Sequence, residues 1–262
     1  MYALLHELLS DRKGGEVFIC FGLWHWCFIL LALAAVVIAA LNMRKMDGTS
    51  RERALDKWIN LAFGLYIADF FLMPFAYESI DLEKLPFHVC TAMCVACFLS
   101  RRWEPLKPWE SHLALLGFVS NLVYLIYPAG IMWQLVHPGS YRVIQTLSFH
   151  AIMAGYGFLT VCFGEQTVSS KNWRKNLTVI TAMTAWAVLG NALYNGRAGG
   201  YDHFFNWFFV VRDPFYILPE AIAPFVMPVV NIIVFFGVEM LIISLFDRIK
   251  IHRIRKSAHI KK

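Results

Sequence analysis

Cys90 closes the run Leu85-Pro86-Phe87-His88-Val89-Cys90, in which Pro86 breaks the preceding loop and opens a helix at a position that needs no backbone donor. Cys90 is therefore expected in the first turn, where unpaired N–H groups and the positive end of the helix dipole favour thiolate over thiol. A thiolate is a nucleophile, and its usual partner is a histidine that takes the proton. Of the nine histidines, His6, His112, His137, His252 and His259 fall in loops, tails or helix ends and are expected in solvent. His203 falls in a loop, and His25, between Trp24 and Trp26, reads as a packed or interfacial ring. His88 and His150 remain. His88 is two residues from Cys90 and points to a different side of a regular helix, which suits a supporting role, orienting the partner histidine or bonding a loop carbonyl. His150, in Gln145-Thr146-Leu147-Ser148-Phe149-His150, is expected on a helix entering from about residue 142, roughly 12 Å below the membrane face against roughly 6 Å for Cys90. Whether thiol and imidazole meet is a tertiary question that spacing leaves open; a buried ring bonded to a neighbouring hydroxyl or amide is the equal alternative for His150.

Other polar side chains fall near the same depth: Asp69, Asn121, Asn191, Tyr194 and Glu220. A charged group in hydrocarbon costs about 2.5–3.5 kcal/mol unless paired or wetted, so several at one level suggest a site. Asp69 is a candidate to orient a histidine, and Asn191 or Tyr194 to donate to a developing oxyanion. Asn121, Tyr216 and Glu220 are candidate substrate contacts. The bland alternative for Asn121 and Asn191 is interhelical hydrogen bonding. Glu239, deep in the last apolar stretch, is expected to snorkel or pair locally. Cys94 and Cys97 share the Cys90 face but lie deeper and read as packing; no disulfide framework is visible among the six cysteines.

The elements that would position these residues are membrane-spanning helices. Hydrophobic residues make up 58% of the chain, charged residues 16%, and the mean hydropathy is +0.54, the composition of an integral membrane protein. Apolar stretches at 17–42, 58–76, 86–100, 110–129, 142–164, 176–195 and 216–246 predict an all-α bundle of about seven transmembrane helices. The third is short, closed by Arg101 and Arg102, so six spans with one re-entrant segment is the alternative. Eighteen of the 24 Lys and Arg residues fall on the segments that are internal if the N-terminus is outside, which predicts that orientation and a cytoplasmic C-terminus. Acidic Glu7, Asp11 and Glu16 argue against a cleavable signal. Residues 1–262 read as one domain, with a short surface segment at 1–16 and a basic tail at 247–262 suited to anionic lipid rather than to nucleic acid. The expected setting is the cell membrane.

Taken together, Leu85–Cys90, His150 after Gln145, Gly190-Asn191-Ala192-Leu193-Tyr194 and Asp213-Pro214-Phe215-Tyr216-Ile217-Leu218 resemble the YwaF-type integral membrane proteins, which are related to the transmembrane protein 164 acyltransferases. The resemblance runs from about residue 60 to 246. It implies a multi-span enzyme that moves fatty acyl chains between lipids through a Cys, matching Cys90, and a His, matching His150, with phospholipids or lysolipids as substrates and no cofactor or metal. A lipid esterase using the same pair, a transporter or receptor with a polar binding layer, and a metal site built from His88, Cys90, Cys94 and His150 are the competing readings; Cys-x3-Cys-x2-Cys on one helix is a poor tetrahedral cage.

Overall fold

The computed structural model describes residues 2–11, 15–77, 82–132, 135–166, 168–195 and 205–260. His203 and the charges Arg12, Lys13, Glu78, Asp81, Arg197, Lys261 and Lys262 lie outside the described residues. Those residues are helical or irregular, with no strand among them. The helices are α1 (Tyr2–Leu9), α2 (Leu23–Met43), α3 (Gly48–Tyr77), α4 (Val89–Ser100), α5 (Glu110–Ile126), α6 (Ala129–Met132), α7 (Tyr141–Phe163), α8 (Trp173–Tyr194) and α9 (Ala223–Ile260).

Among the described residues five helices are long and apolar enough to cross a membrane: α2, the stretch Glu104–Met132 that contains α5, α7, the stretch Ser170–Tyr194 that contains α8, and Ala223–Arg248 within α9. The chain is a multi-pass membrane protein. Helix α4, expected as the third span, has 12 residues, roughly 18 Å at 1.5 Å per residue, well short of a core of about 30 Å. It tolerates this because it is central: α3, α5, α7 and α8 all pack against it. Backbone that stops at membrane depth is permitted where protein rather than lipid surrounds it. Helix α2, whose buried residues are His25 and Met43, and α9 flank this ring.

Helix α3 begins ten residues before the apolar stretch that marks it in the sequence. Hydropathy sees the apolar part of the helix; its charged first turns continue the same helix because Glu52 and Asp56, four residues apart, face one cation. That cation is Arg101, just past the end of α4 and only 6% exposed, with Nη2 2.8 Å from Glu52 Oε2 and Nε 2.5 Å from Asp56 Oδ1. Arg101 also pairs with Glu110 of α5, which accepts from the Tyr156 hydroxyl of α7 at 3.3 Å. Four helices are thus pinned at the Arg101 end.

Several expectations are corrected. His6 and His112 are not solvated: His6 Nδ1 bonds the Phe75 carbonyl at 2.9 Å and holds α1 against α3, and His112 is buried on α5 and hydrogen-bonded to Asn176 of α8. The last stretch was expected to open at 216, yet residues 205–222 form an ordered loop and α9 opens at Ala223, running through the basic segment as one helix. Glu239 neither snorkels nor pairs; it is fully buried, and neither carboxylate oxygen has a partner among the described residues.

Candidate active site

At the end of the bundle opposite Arg101, the start of α4 is set by aromatic packing. Phe87 stacks on Trp186 at 4.9 Å and packs against Trp207 at 5.0 Å and Tyr194 at 5.7 Å. It lies so close to Gly190 that a Cβ there would stand 2.3 Å from its ring. Trp186 Nε1 donates to the Pro86 carbonyl at 2.6 Å. Asn191 receives Trp207 N–H at 3.2 Å and donates to the Trp207 and Ala187 carbonyls at 3.1 and 2.7 Å. The motif residues Phe87, Gly190, Asn191 and Tyr194 therefore meet as a brace. Asn191 spends its polar atoms on backbone, the interhelical reading rather than oxyanion donation.

His88 is the residue before the first turn, with extended backbone (φ −77, ψ 140) and no side-chain cap. Cys90 is the second residue of the helix, as expected. Among the described residues no backbone carbonyl accepts from Val89, Cys90 or Thr91 N–H, so the first-turn donors are not consumed by the helix. Cys90 is 3% exposed, and its thiol stands beside the Ser120 hydroxyl of α5. Ser120 donates to the Gly117 carbonyl at 3.3 Å and accepts from the Asn121 amide at 3.5 Å.

His150 Nδ1 lies 2.7 Å from the Thr146 carbonyl. A carbonyl only accepts, so Nδ1 carries the proton and the neutral ring keeps its lone pair on Nε2. The ring lies flat on Tyr124, centroids 3.7 Å apart and planes 11° apart, and edge-on to Phe149 at 5.1 Å. No hydrogen bond joins Cys90 to His150 among the described residues. Helices α4 and α7 are in contact, and the Tyr124 ring lies against the imidazole. The His88 ring makes an edge contact with Phe209 at 6.3 Å and no hydrogen bond among the described residues.

Asp69 does not orient a histidine. Its Oδ2 pairs with Lys84 Nζ at 2.7 Å, while Oδ1, on a side chain 2% exposed, has no partner among the described residues. This pair lines a cavity of about 50 Å³ with Tyr66, Thr91, Gln145, Thr146, Phe149 and His150. Asn121 is fully buried; its amide donates to the Gly117 carbonyl at 2.7 Å, and its Oδ1 has no partner among the described residues. Tyr216 and Glu220 lie elsewhere. Tyr216 is 89% exposed, Glu220 pairs with Arg212 at 3.7 Å, and both line a surface hollow of about 220 Å³ in the 205–222 loop. The loop is shaped by Asp213, which accepts from Phe215, Ile217 and Leu218 N–H at 2.9, 2.8 and 2.9 Å. Those donors, Phe215 first, hold its carboxyl below the usual carboxylate range.

Lys84, Ser120 and Tyr124 were not singled out from the sequence. Ser120 and Tyr124 flank Asn121 on α5 at i−1 and i+3, a signal available in principle; the return of Lys84 from a loop onto Asp69 has no local signature. Among the described residues no three of His, Cys, Asp and Glu converge as a metal-binding group. A family model described as the TMEM164 family matches residues 20–246. Neither a curated protein nor a solved structure matches the chain.

Proposed function

The chain belongs to the TMEM164 family, and from that premise we propose that it is a lipid acyltransferase working through a Cys90 acyl-enzyme with His150 as base. The observation that carries this reading is the pair of prepared reactants in one interior: a thiol in an uncapped first turn, and an imidazole whose bond to Thr146 fixes the free lone pair on Nε2.

The chemistry follows from burial. A bare thiolate at a site this enclosed is expensive, so Cys90 rests as a thiol beside Ser120, and its proton leaves only as attack begins. Turning from Ser120 toward an ester carbonyl, the sulfur bonds the carbonyl carbon while His150 Nε2 takes the proton. The developing oxyanion is placed to draw on the unconsumed amides of Val89 and Thr91. The ester C–O bond breaks, the imidazolium protonates the leaving lysolipid, and a thioester remains on Cys90. A second hydroxyl then takes the acyl chain. His88 leads into the turn that carries Cys90, and Tyr124 holds the imidazole plane. The distribution of Lys and Arg supports an orientation with the N-terminus outside and the basic end of α9 cytoplasmic.

Lipid mass spectrometry on membranes expressing wild type, Cys90→Ala and His150→Ala tests the reading. The expected result is a redistribution of acyl chains among phospholipids with wild type and none with either variant. Identical profiles from all three would overturn it.

A further inference from the structure

The cavity beside His150 has features that the attack of Cys90 does not use. Asp69 lines the cavity on a side chain almost wholly buried, and its Oδ1 has no partner among the described residues. Lys84 Nζ, 24% exposed on its side chain, is fixed beside it at 2.7 Å from the other carboxylate oxygen. A buried carboxylate oxygen left without a donor costs free energy unless something with an O–H or N–H fills the space. The volume, about 50 Å³, is above the roughly 10–15 Å³ that one water needs, so the hollow has room for a hydroxyl or for water.

We propose that this cavity seats the acceptor hydroxyl of the second half-reaction. The inference rests on the acyl-enzyme reading above and names what receives the chain. The hydroxyl donates to Asp69 Oδ1 and accepts from Lys84 Nζ, so the ion pair holds it by both ends. Thr91, the residue after Cys90, and His150 are part of its wall. In the transfer step the hydroxyl oxygen bonds the thioester carbonyl carbon, and the C–S bond breaks with its electron pair going to Cys90 Sγ. As it attacks, the hydroxyl turns its proton from Asp69 to His150 Nε2, and the imidazolium hands that proton to the sulfur. Thioester plus alcohol gives ester plus free thiol; thioester plus water gives fatty acid plus free thiol. The ion pair also explains why Asp69 does not bond a histidine: its task is to orient the incoming oxygen.

The test separates acylation from deacylation in the full-length protein in nanodiscs. Asp69→Asn keeps the shape of the side chain but removes its charge, and Thr91→Val changes the wall without touching the ion pair, so the second variant serves if the first fails to fold. The acyl-enzyme is generated from a labelled phospholipid and chased with labelled lysolipid, or with buffer in 18O-water. Loss of one hydrogen bond to a charged group predicts deacylation slowed by roughly ten- to a hundredfold in Asp69→Asn, with acyl-enzyme accumulating and the KM for acceptor raised. Thr91→Val is expected to shift in the same direction. Label appearing in diacyl lipid identifies a lipid alcohol as the natural occupant, and 18O in free fatty acid identifies water; either supports the seat, provided the variants slow that same product. Deacylation at the wild-type rate in both variants, or acylation slowed as much as deacylation, overturns the proposal while leaving the acyl-enzyme intact. Absence of any acyl-enzyme in wild type removes the underlying reading itself.

Discussion

Gly190→Ala is a one-carbon change on α8, a helix that carries neither proposed reactant, and it should nevertheless impair the chemistry. The added Cβ would stand 2.3 Å from Phe87 Cδ1, 2.4 Å from Cγ and 2.9 Å from Cβ. Ordinary contact begins near 3.4 Å, so the base of the ring has to retreat by about 1 Å. Phe87 cannot swing clear, because Trp186, Trp207 and Tyr194 hold the ring on its other sides. The displacement therefore passes into the backbone, three residues before Cys90. Overpacking of this kind costs about 1–3 kcal/mol of stability, and a misplacement of about 1 Å at a nucleophile can cost on the order of a hundredfold in rate. Acyl-enzyme formation from a labelled phospholipid, timed by mass spectrometry alongside unfolding in mixed micelles, reads both effects. Gly190→Ala should be slow at the first step, and Phe87→Leu in the same chain should restore much of the rate by vacating the space. Wild-type acylation in Gly190→Ala with unchanged stability would refute the idea that α8 positions Cys90 through Phe87.

Arg101→Met leaves Glu52, Asp56 and Glu110 facing one another without a cation and should destabilise the bundle by about 3–5 kcal/mol in unfolding titrations; Arg101→Lys, which keeps charge without the planar fork, should fall between the two. Tyr124→Leu removes the ring stacked on His150, a loss of about 0.5–1.5 kcal/mol that should slow acyl-enzyme formation roughly two- to tenfold, whereas Tyr124→Phe should keep the rate; equal losses in the two variants would refute a stacking role. Asp213 is held below its ordinary value in the folded loop, so its contribution is fully present above the unfolded carboxylate value, about 3.9, and is lost as pH falls through the depressed folded value. Amide exchange at Ile217 and Leu218, corrected for intrinsic rate, should accelerate over that acid range in wild type and be fast at every pH in Asp213→Asn.

The sequence carried the membrane-embedded helical architecture because hydropathy over about 20 residues is a local quantity. It also carried the placement of Cys90, since a proline four residues earlier is a local stop signal. It could not carry the extent of α3, whose charged turns look like loop until Arg101 is seen to gather Glu52 and Asp56. Nor could it show α4 as a short central helix, because what permits a 12-residue stop is the ring of neighbours around it. Asn191 and Tyr194 share the polar composition of a site, yet their contacts with Trp207 and Phe87 make them braces for the segment that leads into Cys90. Glu220 joins the site only by assumed depth and Tyr216 only by its place in the Asp213–Leu218 run, and both line the surface hollow of the loop shaped by Asp213. The partner of Asp69 was misjudged for the same reason: a lysine returning from a loop leaves no periodic trace.

Everything proposed for this protein turns on a covalent intermediate at one sulfur. Protein incubated with a labelled phospholipid, quenched at low pH, digested and analysed by peptide mass spectrometry should carry a fatty acyl thioester on the peptide containing Cys90. The adduct should be released by neutral hydroxylamine, absent in Cys90→Ala, and unaffected by Cys94→Ala. A thioester on a different cysteine, or acyl transfer that proceeds with Cys90 replaced by Ala, would contradict the account.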